Sequence, residues 1–194
     1  MFQLLAVTVG LFISTNLDDM VVLLLLNEEI INRRLRVREV MYGQVAGILV
    51  IGAVSWLVSI GLSQFAPSLT RWLGILPILI GLKMLITNLR NTPGDEQTIP
   101  VQTKSWQNVL AILGLTLAGG GDNLAVYIPV LQHTTPIRAA VMILLFIPLT
   151  LGWIGLSILI ARIPPIKWVL AQYTDKLVPV IFIGLGILLL FNIA

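Results

Sequence analysis

The sequence predicts an all-α integral membrane protein: six transmembrane helices as a 3+3 inverted repeat, with helices 1 and 4 broken near the midplane. Three observations carry this expectation. The 194-residue chain is 57% hydrophobic and 11% charged, with mean hydropathy +0.98, whereas a soluble domain carries about 25% charged residues. Six apolar runs account for nearly all of it, each of roughly 20 residues, the length that crosses a hydrocarbon core of about 30 Å. A displacement of 104 positions also places Gly10-Leu11 on Gly114-Leu115, Ser14 on Ala118, Asp18 on Asp122 and Val22 on Val126.

The first run, 2–26, has no basic leader and is too long and too polar at its centre for a cleavable signal, so it is expected to be a span. The second, 40–62, contains Gly43 and Gly47 as a GxxxG pair, continued at helical spacing by Ser55 and Ser59. Small residues in such a row let two backbones approach closely in lipid. The third, 69–89, carries LPILIGLKML and Lys83 near its cytoplasmic end, where a long stem snorkels. Residues 90–105 hold Pro93, Gly94 and Pro100, the chemistry of turns and linkers. They divide the chain into a first three-helix repeat, 1–89, and a second, 106–194. The fourth run, 106–131, carries GGGDN, and the fifth is 137–161. In the sixth, 176–193, VPVIFIGLGIL echoes the third with a one-residue slip. Three crossings per half make the second half run opposite to the first, an arrangement common in secondary transporters. Trp72, Trp106 and Trp168 fall near helix ends and read as interfacial anchors. Trp56 and Trp153 lie deeper and read as packing, Pro129, Pro148 and Pro179 as kinks, and His133 as a surface residue.

Charge sets the expected orientation. The net charge is +3, and the basic residues fall on one side. Arg33, Arg34, Arg36, Arg38, Lys83, Arg90, Lys104, Arg162, Lys167 and Lys176 lie in or beside loops 1–2, 3–4 and 5–6, against Arg71 and Arg138 opposite. Basic loops stay in the cytoplasm, so the chain is expected to be a multi-pass protein of the inner (plasma) membrane with both termini outside. The same distribution argues against a nucleic-acid surface. With no cysteine, disulfides and thiolate metal sites are excluded. No nucleotide-binding loop, nucleophile–base pair or His-rich site appears, so neither an enzyme nor a bound cofactor is expected.

Three carboxylates stand where hydrocarbon is expected: Asp18, Asp19 and Asp122. An ionised carboxylate near the bilayer centre costs about 2.5–3.5 kcal/mol on insertion scales, and three together on the order of 8–10 kcal/mol, comparable to a whole folding free energy. Core basic partners are lacking except Lys83, so the balance calls for an external cation or protons. Thr15-Asn16-Leu17-Asp18 and Gly119-Gly120-Gly121-Asp122 are poor continuous helix. Each glycine costs about 1 kcal/mol relative to alanine, and Asn and Asp favour caps. Breaks there would free backbone carbonyls where irregular backbone lines a cavity. Ser14, Thr15, Asn16 and Asn123 add neutral oxygens, which completes a hard-oxygen set suited to Mg²⁺, Ca²⁺ or Mn²⁺. At about 1.5 Å per residue, Asp18 and Asp122 fall about 6 Å on either side of the midplane, forming one elongated site or two stacked ones. Capping of half-helices by Asp18 and Asp122 is the plainer alternative, and it leaves Asp19 unexplained. Asp18 and Asp19 repel one another, which a bound proton relieves; its exchange for metal would give cation/proton antiport. Other readings are an exporter of amino acids or small zwitterions, a channel, or a structural subunit. A homodimer would suit so thin a bundle.

STNLDDMVVLLLL at residues 14–26 and GGGDNLAVYIPV at residues 119–130 resemble the cadmium resistance transporter (Cad) family, within the lysine exporter superfamily. The pattern is carried by Gly120, Gly121, Asp122, Asn123, Tyr127 and Pro129. The resemblance covers essentially the whole chain and implies a six-helix inner-membrane exporter of divalent cations that uses paired Asp motifs in helices 1 and 4. Cadmium and zinc favour sulfur or imidazole donors, and here the chain departs from them with no Cys and one peripheral His.

Overall fold

The structure, a computed structural model, describes residues 2–65 and 102–163, with isolated positions at 75, 78, 79, 82, 83, 85, 86, 179, 180, 183, 184 and 187. The described residues form six helices: α1 (Phe2–Thr15), α2 (Leu17–Ile31), α3 (Val37–Phe65), α4 (Ser105–Gly119), α5 (Gly121–Gln132) and α6 (Pro136–Ala161). No strand occurs among them. The isolated positions, Pro179 among them, are helical too, but the rest of the spans expected at 69–89 and 176–193, most of the linker at 90–105, Trp72 and Trp168 lie outside the described residues.

Two short helices followed by a long one occur twice. Val37–Gln64 and Pro136–Ala161 are each long and apolar enough to cross a membrane, with hydropathies of 2.3 and 2.4. Each short pair passes the same test together, bent by 60° between α1 and α2 and by 66° between α4 and α5. The chain is therefore a multi-pass membrane protein with two to four spans among the described residues. The bends fall at Asn16 and Gly120, the displacement seen in the sequence.

Local chemistry sets the ends. At the start of α3, Glu39 Oε2 accepts the Arg36 backbone N–H at 3.0 Å, the reach-back half of a capping box. Pro136 opens α6, where a missing N–H costs nothing. The turn after α2 closes when Arg34 N–H bonds to Glu29 O at 2.9 Å, with Arg33 left-handed at φ 58°, in the manner of a Schellman cap.

Each long helix packs on the broken pair of the other half: α3 against α4 and α5, and α6 against α1 and α2, with α3 and α6 also in contact. The α3–α4 seam is built from glycine. A Cβ on Gly43 would lie 2.7 Å from Ile112 Cβ, one on Gly47 2.6 Å from Thr116 Cγ2, and one on Gly120 would overlap Ile51. Contacts that advance by four residues on both helices mean that α3 and α4 run parallel. The GxxxG row lies on this seam, where Gln44 Oε1 accepts the Thr116 hydroxyl at 3.1 Å. Trp106 is exposed at the start of α4, and His133 is exposed after α5. Pro129 and Pro148 sit inside α5 and α6.

Glu39, in the first turn of α3, is only 3% exposed. Its Oε2 also accepts Asn108 Nδ2 at 3.3 Å, while Asn108 Oδ1 accepts the Gln102 N–H at 2.8 Å. The starts of α3 and α4 are thus tied by a buried polar clasp. Asn108→Ala removes a partner from a buried carboxylate, so a loss of about 1–3 kcal/mol is expected, read as a lower melting temperature in detergent.

Candidate metal centre at two helix breaks

Asn16 and Gly120 close one helix and open the next. Asp18 and Asp19 therefore occupy the first turn of α2, and Asp122 the first turn of α5. The N-terminus of a helix carries partial positive charge that favours a carboxylate. Both breaks use it in the same way: Asp18 Oδ1 accepts the Asp19 N–H at 3.0 Å, and Asp122 Oδ1 accepts the Asn123 N–H at 2.7 Å.

The carboxyls of Asp18 and Asp122 face one another within hydrogen-bonding reach. Asp122 is 8% exposed, and Asp18 and Asp19 are half-buried. Successive side chains leave a helix about 100° apart, so Asp19 turns away from that pair toward the second break. A Cβ on Gly119 would lie 3.9 Å from Asp19 Oδ1. Among the described residues, no group of three or more His, Asp or Glu side chains gathers as a ready metal cage. The arrangement is a pair of facing carboxyls with a third beside them. The one ion pair among the described residues, Arg34 to Glu29 at 3.6 Å, lies at the far end of α2 and involves none of the three.

The first break is closed by hydrogen bonds. Ser14 and Thr15 hydroxyls donate to Leu11 O at 2.8 and 3.0 Å. Asn16 Nδ2 donates to Phe12 O at 2.8 Å. From α5, the Tyr127 hydroxyl meets Thr15 Oγ1 at 3.0 Å and Asn16 Nδ2 at 3.3 Å. From α6, the Trp153 indole N–H donates to Asn16 O at 2.9 Å. Thr15 and Asn16 are thus buried among Tyr127 and α1 carbonyls, while the carboxylates gather alongside. Among the described residues the second break has no such hydrogen bonds. Gly119, Gly120 and Gly121 carry no side chain, and buried Asn123, 2% exposed, has an Oδ1 with no hydrogen-bond partner among the described residues. Next to Asp122, that oxygen and the facing carboxyls supply hard donors, which a hard divalent cation suits.

The family model described as cadmium resistance transporter (Cad) matches residues 12–194. The chain belongs to the Cad family. Comparison with curated proteins and with solved structures finds no match. The match takes in both breaks, all three carboxylates and all of α2 to α6. In this Cad protein, Trp153, which reads from the sequence as packing, and Tyr127, to which the sequence attaches no contact, both reach the first break. The signal for both was the need of a buried indole or phenol for a hydrogen-bond partner, but no spacing in the chain says which partner.

Proposed function

We propose that this Cad family protein is a secondary transporter that exports a divalent metal cation through the space between the two breaks, in exchange for protons. One observation carries the reading: Asp18 and Asp122, from two separately broken spans, stand carboxyl to carboxyl with no ion-pair partner among the described residues. A mobile cation neutralises such a pair, and protons replace it when the cation leaves. Asp19 and the unpaired Asn123 oxygen extend the donor set, and the proposed ions are of the Cd, Zn or Mn class. The all-oxygen donors hold cadmium and zinc weakly, which suits an ion that must be released.

The proposed frame is six spans in two inverted repeats, termini outside, in the inner membrane, with pairing into a homodimer. Support comes from matching bends 104 residues apart, from the exchange of long helices between halves, and from the parallel course of α3 and α4, which such a path requires.

The test is flux in proteoliposomes. Mn²⁺ and Cd²⁺ movement is expected to accelerate when a pH gradient is imposed and to be unaffected by excess lysine. Flux indifferent to the gradient would reject proton coupling. Protection of the protein from heat by lysine but by neither metal would replace the metal reading with the zwitterion one.

A further inference from the structure

Resting on that reading of the site, the geometry points to Trp153 as the positioning residue that holds the first break, so that α1 and α2 form a rigid half-site. The Trp153 N–H donates to the carbonyl of Asn16, the residue at which α1 ends and α2 begins. Its ring stands edge-on to Phe12 of α1, with centroids 6.0 Å apart at 90°. One side chain of α6 therefore grips both the last turn of α1 and the pivot itself. Tyr127 supports the same pivot from α5. It is wholly buried, stacks on Phe146 at 4.9 Å, and spends its hydroxyl on Thr15 and Asn16.

The consequence falls on the carboxyls. Asp18 and Asp19 lie two and three residues past the pivot, about 3–4.5 Å along α2 at about 1.5 Å per residue, and the reach of their side chains off the axis brings the carboxyls to about 6 Å from it. At that radius a 10° change of bend moves a carboxyl by about 1 Å, while a binding constellation must be held to within about 0.5 Å. Loss of the N–H leaves the pivot carbonyl without its bond to α6, and the 60° bend is then set less sharply. The second break shows the contrast. Among the described residues no side chain of another helix hydrogen-bonds to Gly119, Gly120 or Gly121, and a Cβ on Gly121 would meet nothing within 4 Å. Among the described residues, only the first half-site is tied by side-chain hydrogen bonds from other helices; Gly120 of the second is seated against Ile51 of α3 instead.

The experiment removes one atom group. Trp153 is replaced by 3-benzothienylalanine, which keeps the shape of indole but carries sulfur in place of N–H, and separately by Trp153→Phe. Because the chain has no cysteine, spin labels can be placed uniquely at Val7→Cys and Ile31→Cys on the full chain in nanodiscs. Mn²⁺ and Cd²⁺ binding is measured on the same variants without labels. Expected are a broader Val7–Ile31 distance distribution and an apparent Kd raised about five- to tenfold, the effect of one neutral hydrogen bond acting through the fraction correctly bent. An unchanged distribution, or a Kd within about twofold of wild type, overturns the assignment, since bulk packing alone would lower the melting temperature without either change. If the distribution broadens but the wild-type chain itself binds neither metal, the transport reading falls, and the grip of Trp153 on the break stands.

Discussion

Vesicles carrying Asp122→Asn are expected to move no divalent cation above the protein-free level, while the purified variant stays folded. Asn keeps the size of the side chain and an oxygen for the Asn123 N–H, so the first turn of α5 is preserved. What disappears is charge. Two unit charges about 4 Å apart at an effective dielectric of about 20 interact by about 4 kcal/mol, and a divalent ion doubles that. Loss of one carboxylate therefore lowers ion occupancy by on the order of a thousandfold or more. Without the ion the sign reverses. The facing Asp18 and Asp122 then repel or must take up a proton, so Asp122→Asn is expected to melt at or above the wild-type temperature in metal-free detergent and to lose the upward shift that metal gives the wild type. Greater stability with lost activity is the signature of a strained functional pair. Asp18→Asn is expected to behave alike. Transport within tenfold of wild type in either variant would remove the carboxyl pair from the mechanism.

Gly47→Leu is expected to cause the largest loss of stability. A Cβ at this position already falls 2.6 Å from Thr116 Cγ2 and 2.7 Å from Thr116 Cβ, closer than real contacts allow, and leucine adds three more carbons. The parallel helices α3 and α4 must part, which disturbs the Gly43 and Gly120 contacts one turn away on either side. Overpacking of this kind costs about 3 kcal/mol, or about 6–12 °C for a chain of this size. Gly61→Leu is the control, since a Cβ there meets nothing within 4 Å. It gains helix propensity and is expected to melt no lower than wild type. Size-exclusion chromatography after stepwise heating compares them. If the two variants melt within about 2 °C of each other, close approach at Gly47 does not hold the bundle.

Much of the architecture was legible because it depends on local chemistry. Apolar run length marks the spans of α3 and α6. Asn16 and Gly120 interrupt helices because an Asn closely followed by two Asp residues, and three glycines in a row, weaken continuous helix whatever surrounds them. The Gly43–Gly47 pair announced a close approach for the same reason. The partner in that approach was not legible. Thr116 and Ile112 are ordinary span residues, and nothing in their sequence neighbourhood selects α3.

The site divides the same way. Sequence located Asp18, Asp19 and Asp122 and priced their burial, and it offered Ser14, Thr15 and Asn16 as neutral oxygens beside them. Tertiary structure brought Asp18 to Asp122, turned Asp19 toward Gly119, and occupied Thr15 and Asn16 with Tyr127, Trp153 and the carbonyls of α1. It also buried Glu39 against Asn108. By itself, then, the sequence determined the solvent, the spans of α3 and α6, the two breaks and the charges stranded beside them, because hydropathy and helix propensity act over a few residues. Which carboxyl faces which, and what grips the first break, was decided only when helices more than a hundred residues apart in the chain packed side by side, since each buried donor and acceptor must then take whatever partner that packing puts within reach.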